Sequence, residues 1–337
     1  MDVARKFVER EQVTGLARAV FGSERHLNTV ARQGGGSKKG VYRLLFDDES
    51  TAILYVWDAA ENYWPPLPGG ADSDQADPFA DASGPDLFEA SHACLEKIGV
   101  RTPQVYLLDR SRSHFPADIA VVEDVRGGTL EARLQENPQG AEPTLARLGE
   151  ALRAMQQLRG AYIGKIALVD NGMAPQDRAC EQIVLERALR HLTEAAARVE
   201  RVAQVRERLE AQLRELAAVV RPRNEYRLIH GELGPDHVLV DERGEPVLID
   251  IEGAMFFDVE WEHVFLQLRF RQHYHWLRAH NLDDQRLQLY RLAMHLSLIA
   301  GPLRLLDGDY PEREEMLDIA EAHIQRVFTF LHEESER

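Results

Sequence analysis

Residues 228–253 read LIHGELGPDHVLVDERGEPVLIDIEG, and this segment leaves the chain few ways to fold. Three short apolar runs at 226–230, 238–241 and 247–250 have strand character, and DERGEP between the last two has the composition of a hairpin turn. His230, Glu232, His237 and Asp250 therefore sit at strand ends or in the loops beside them. Apolar neighbours cannot satisfy such groups, so a cluster of them requires a ligand, a metal or one another.

The remainder of the chain divides by pattern. Residues 28–58 alternate in the manner of a three-stranded antiparallel meander, NTVARQ, VYRLLFDD and TAILYVWD, with the glycine-rich loop GGGSKKG joining the first two strands. Residues 65–86 are dense in Pro, Gly, Asp and Ser and read as a flexible acidic loop. A helix is expected at 87–98 and two more strands at 104–108 and 119–123, which makes a sheet of about five strands with one helix inserted after the third. Past Gly127 and Gly128 the periodicity turns helical at 130–134, 144–158, 176–198 and 199–219, where Arg221-Pro222 stops it. Helix returns from Trp261 onward, with breaks expected near Asn281, at Gly301-Pro302 and at LLDGDYPER.

Charge and cysteine content exclude several function classes. Forty Lys and Arg against 56 Asp and Glu give a net charge of −16, which repels phosphate backbones and anionic headgroups, so neither nucleic acid nor membrane is an expected partner. Two cysteines far apart, Cys94 and Cys180, supply neither a disulfide framework nor zinc-ligand spacing. No run approaches the roughly 18 apolar residues of a membrane span and the first residues carry no signal-peptide pattern, so a cytoplasmic location is expected. His273 and His275 are two apart, which on a helix turns them roughly 200° from each other and denies them a shared metal.

The order HGELGPDHVLV followed by VLID resembles the catalytic and metal-binding loops of the aminoglycoside phosphotransferase family, small-molecule kinases with a protein-kinase-like fold. The resemblance covers most of the chain. It implies an α+β, bilobal architecture: a small antiparallel-sheet N-lobe over residues 1–125 and a mostly helical C-lobe over 126–337 that carries the catalytic and metal loops and the substrate cleft. The implied activity is ATP- or GTP-dependent transfer of a phosphoryl group to a hydroxyl of a small molecule, with magnesium, and an acidic cleft would suit a cationic substrate. Substrate identity, nucleotide preference and oligomeric state stay open.

The same resemblance assigns residues. Glu232 stands where the catalytic Asp accepts the substrate hydroxyl proton, beside His230; His237 and Asp250 stand at the metal positions. Gly35, Gly36, Ser37, Lys38 and Lys39 belong to the loop that covers the phosphates, and Glu123 and Val125 to the linker that pairs with adenine through its main chain. Asp258 and Glu262 match two acidic places downstream, the second of which braces the catalytic loop. With Glu260 they are the candidate substrate residues. Two departures stand out. The third strand carries Tyr55 where the family has a phosphate-binding Lys, so Lys38 or Lys39 would have to reach the phosphates from the loop; and Glu232 is one methylene longer than the usual Asp. They keep a second reading open, a pseudokinase-like module that binds nucleotide and transfers nothing.

Overall fold

In VYRLLF every second side chain is buried, while ILYV in the following strand is buried on both faces. That difference between a half-covered and a fully covered strand places the second of them at the centre of a sheet. A computed structural model of the chain shows this arrangement and describes residues 5, 7–34, 36–65, 77–80, 83–172 and 178–335. Strands β1 (Leu27–Arg32), β2 (Gly40–Phe46), β3 (Thr51–Trp57), β4 (Val105–Asp109) and β5 (Asp118–Glu123) form an antiparallel sheet in the order β1-β2-β3-β5-β4. The register sets Val41 opposite Tyr55 and Gly40 opposite Val56.

The chain forms two compact units, one of residues 1–64, 81–148 and 235–253, the other of 65–80, 149–234 and 254–337. In the first, helix α1 (Arg10–Phe21) buries Val13, Leu16 and Ala17 in the same apolar cluster as Leu44, Leu54 and Val121 of the sheet. No helix is expected there from the sequence, because its apolar stripe is only three residues long among charges. Glu9 and Gln12 close its first turn reciprocally as a capping box. The first unit also holds α2 (Pro85–Lys97), α3 (Leu130–Glu136) and the hairpin β9 (Val238–Val240) and β10 (Pro246–Leu248), whose turn is the expected DERGEP. Helix α4 (Glu142–Gln157) carries the chain from the first unit into the second.

The second unit is helical around a small sheet. Strands β6 (Arg159–Gly160), β7 (Gly164–Lys165), β8 (Tyr226–Ile229) and β11 (Met255–Phe257) pair in the order β6-β8-β11-β7. Only β8 was legible in the sequence, since two- and three-residue strands have no measurable period. Helices α5 (Ile166–Asp170), α6 (Cys180–Arg198), α7 (Glu200–Gln204), α8 (Arg206–Val219), α9 (Val259–Phe270), α10 (Asp284–Leu305) and α11 (Arg313–Ser335) complete it. The helix expected at 199–219 breaks once, at Val205, and ends before Arg221-Pro222 as read. Gly301-Pro302 does not break α10; Pro302 lies inside its last turn, and the helix runs only to Leu305, so a single backbone hydrogen bond is forgone. Among the described residues no helix is long and apolar enough to cross a membrane. Most of the 65–86 loop lies outside the described residues, but Asp77 is buried between Arg187 and Arg190, at 2.8 and 2.6 Å.

Candidate functional site

In the first unit the glycine loop ends in a buried cation. Gly36 is required there because a Cβ would lie 2.7 Å from the Lys39 carbonyl, and Gly40 because one would meet the Glu61 carboxyl and the Tyr42 ring. Gly35 lies outside the described residues. The loop is pinned from outside: Trp64 Nε1 donates to Ser37 Oγ at 3.0 Å, Tyr63 N donates to the Ser37 carbonyl at 2.8 Å, and Lys38 Nζ stands 5.7 Å from the Trp64 ring centroid.

Lys39, by contrast, turns inward. It is 8% exposed, its Nζ donates to Asp250 Oδ1 at 3.0 Å and to Glu252 Oε1, and it lies 4.9 Å from the centroid of the Tyr55 ring. Burial opposes its charge, but the carboxylates of Glu252 and Asp250 outweigh burial and hold its pKa above the ordinary lysine value. Tyr55 is pushed up to about 12, chiefly by burial, so it is a neutral ring beneath the ammonium. A cation thus stands beside Tyr55 of β3, carried by the residue that precedes β2.

Asp250 has φ +58°, a left-handed conformation uncommon outside glycine, and its side chain is half exposed although its neighbours Leu248 and Ile251 are buried. His237 Nε2 is 3.9 Å from Asp250 Oδ2 and 3.6 Å from Asp236 Oδ2, and the His237 carbonyl accepts from Ile249 N at 3.0 Å. Among the described residues no group of three or more His, Cys, Asp and Glu could by itself hold a metal ion. The donor set suits magnesium only in company with a nucleotide, since that ion takes one or two carboxylates and completes its shell with phosphate oxygens and water.

The linker residues are engaged. Glu123 forms a forked pair with Arg101 at 2.8 and 3.0 Å, which holds its carboxyl below the usual range against the opposing effect of burial, and its N–H is used by the Gln104 carbonyl. Val125 is buried. Glu89 of α2 pairs at the surface with Arg110 at 2.6 Å. Glu252 is what sequence reasoning missed. Nothing local in IDIEG announces a buried partner 213 residues from Lys39.

In the second unit the loop after β8 is held from below. Glu262, fully buried on α9, accepts from His230 N at 2.6 Å and Gly231 N at 2.9 Å, and Trp261 Nε1 donates to the Gly231 carbonyl at 3.2 Å. Burial pushes the Glu262 carboxyl up, while these N–H donors and His230 pull the other way. Gly231 has φ +95°, which turns the chain so that His230 is buried and Glu232 is exposed. Asp258 is buried against Arg286, Tyr290 and Arg223, and Glu260 makes a forked pair with Arg223 at 2.7 and 2.8 Å. The bonds found for Asp258, Glu260 and Glu262 run to the chain's own groups.

Residues 82–310 match the family model described as phosphotransferase enzyme family, APH. Solved structures share the fold at low identity. Spectinomycin phosphotransferase APH(9)-Ia, in complex with ADP and spectinomycin, is 15% identical with a TM-score of 0.65, covering 96% of this chain and 99% of that one. APH(2")-IIia, in its complex with GDP and kanamycin, is 19% identical with a TM-score of 0.60, covering 94% and 99%. A thermostable mutant of aminoglycoside phosphotransferase APH(4)-Ia is 16% identical with a TM-score of 0.59, covering 93% and 99%. No curated protein matches the chain. The antiparallel sheet, the helical second unit and the match over 82–310 agree: this chain belongs to the APH phosphotransferase enzyme family.

Proposed function

We propose that the protein transfers the terminal phosphoryl group of ATP or GTP to a hydroxyl of a small molecule. The observation that carries this reading is the buried Lys39, held by Asp250 and Glu252 over Tyr55, which supplies the positive charge that the third strand lacks. In the proposed reaction Lys39 binds the nucleotide phosphates and Glu252 keeps its ammonium in place. The N–H groups of Gly36 and Ser37 add donors from the loop, and Lys38 adds a second charge at its edge. The linker at Glu123 and Val125 receives the base. Asp250, with His237 beside it, would hold magnesium, which when bound neutralises phosphate charge. Glu232 accepts the proton of the attacking hydroxyl, and Glu262 fixes the loop that presents it.

One observation favours the second reading, a module that binds nucleotide without transferring phosphate: the Lys39 ammonium already engages the Asp250 carboxylate that a metal would use. Titration with ATP and GTP, with and without magnesium, followed by nucleotide turnover against a panel of hydroxyl compounds, separates the two. Turnover abolished by Glu232→Ala supports transfer. Magnesium-dependent binding with no turnover that depends on Glu232 would support the module instead.

A further inference from the structure

A cavity of about 630 Å³ opens in the second unit, at the end of β8 opposite to the His230 loop. Arg227, the lining residue of β8 nearest to that loop, is three residues from His230, about 10 Å of extended chain, so the cavity does not belong to that loop. Its charge contradicts that of the protein. Five arginines (153, 159, 223, 227 and 278) line it together with three carboxylates (Glu225, Asp258 and Glu260), in a chain whose net charge is −16.

All three carboxylates are already spent. Glu225 pairs with Arg159 and Arg227, both at 2.9 Å; Glu260 takes the fork of Arg223 and also accepts from Asp283 N at 2.9 Å; Asp258 is closed off by Arg286, Tyr290 and Arg223. Arg153 and Arg278 have no carboxylate partner among the described residues. They come from different parts of the wall, the C-terminal part of α4 and the 277–283 turn. Nor is this a cleft for a cation, because Asp258 and Glu260 present no free oxygen charge to it.

We propose that this cavity is a binding site for a small phosphate-bearing anion, held between the guanidinium groups of Arg153 and Arg278 with Arg159 and Arg227 at its edge. A tetrahedral dianion accepts hydrogen bonds from several directions, which suits two forks arriving from separate walls, and guanidinium forks match phosphate oxygens in pairs. The cavity contains Asp258 and Glu260, substrate residues expected from the sequence, but both are taken up by arginines, and it shares no residue with the nucleotide-binding set.

Calorimetric titration of the full chain with inorganic phosphate tests it, in EDTA and at constant ionic strength, with citrate as a second probe. Phosphate should bind the wild type and bind the Arg153→Gln/Arg278→Gln variant at least about tenfold more weakly, the value of one charge-assisted hydrogen bond. Both arginines are exposed, so the variant should keep the wild-type far-UV dichroism. Equal binding by the double variant, no phosphate binding by the wild type, or binding of citrate without phosphate would each overturn the proposal.

Discussion

Replacing Lys39 with Met removes one charge from a buried arrangement and leaves the other in place. Glu252 is only 2% exposed, so its carboxylate would lose its cation with little water to replace it, whereas Asp250 is half exposed and can hydrate. The cost therefore falls mainly on Glu252. Breaking a buried pair on one side typically costs about 3–5 kcal/mol, and partial relief through Asp250 sets the expectation near the lower bound, about 3 kcal/mol. Urea unfolding should show Lys39→Met and Glu252→Leu each destabilised by about that amount, while the double variant recovers most of it, because two apolar side chains fill the space without an orphaned charge. Nucleotide binding should be lost in Lys39→Met and in the stable double variant alike, which separates binding from folding. Single variants within about 0.5 kcal/mol of wild type, or additive losses in the double, would refute the claim that the pair is a buried, coupled unit.

Glu232→Asp should raise turnover, up to about 100-fold if the extra methylene misplaces the carboxylate, and leave nucleotide affinity unchanged; a lower rate in steady-state assays would show that the loop is built for Glu. Glu262→Ala strips the acceptor from His230 N and Gly231 N and should cost about 3 kcal/mol in thermal unfolding together with most of the turnover; an active variant of normal stability would contradict its bracing role. Burial lowers His263 to about 4, His295 to about 3 and His323 to about 4, and His295 and His323 share a hydrogen bond of 3.0 Å between their Nδ1 atoms. The unfolded chain, with histidines near 6.5, binds more protons below that pH, so stability should fall as pH drops from about 6.5 toward 4. Thermal midpoints measured across that window should flatten in His295→Asn/His323→Asn; parallel curves would dissociate the pair from the acid sensitivity.

Local pattern alone carried a large part of the molecule. Alternation in VYRLLF and TAILYVW, the DERGEP turn and the HGELGPDH loop depend on neighbours within a few residues, so strands, hairpin and family could be read without coordinates. Glu262 as the brace of the loop after β8 was legible too, through its place in the resemblance. What could not be read is every charge whose partner lies far along the chain. Whether Lys38 or Lys39 turns inward depends on the β2–β3 register and on Glu252, more than two hundred residues away. Asp258 and Glu260 resembled free acids until Arg223 and Arg286 were brought against them. A periodic pattern records which face of an element is buried, but the pairing of buried charges is a property of the folded geometry, because Coulomb attraction depends on distance in space and sequence separation does not enter it.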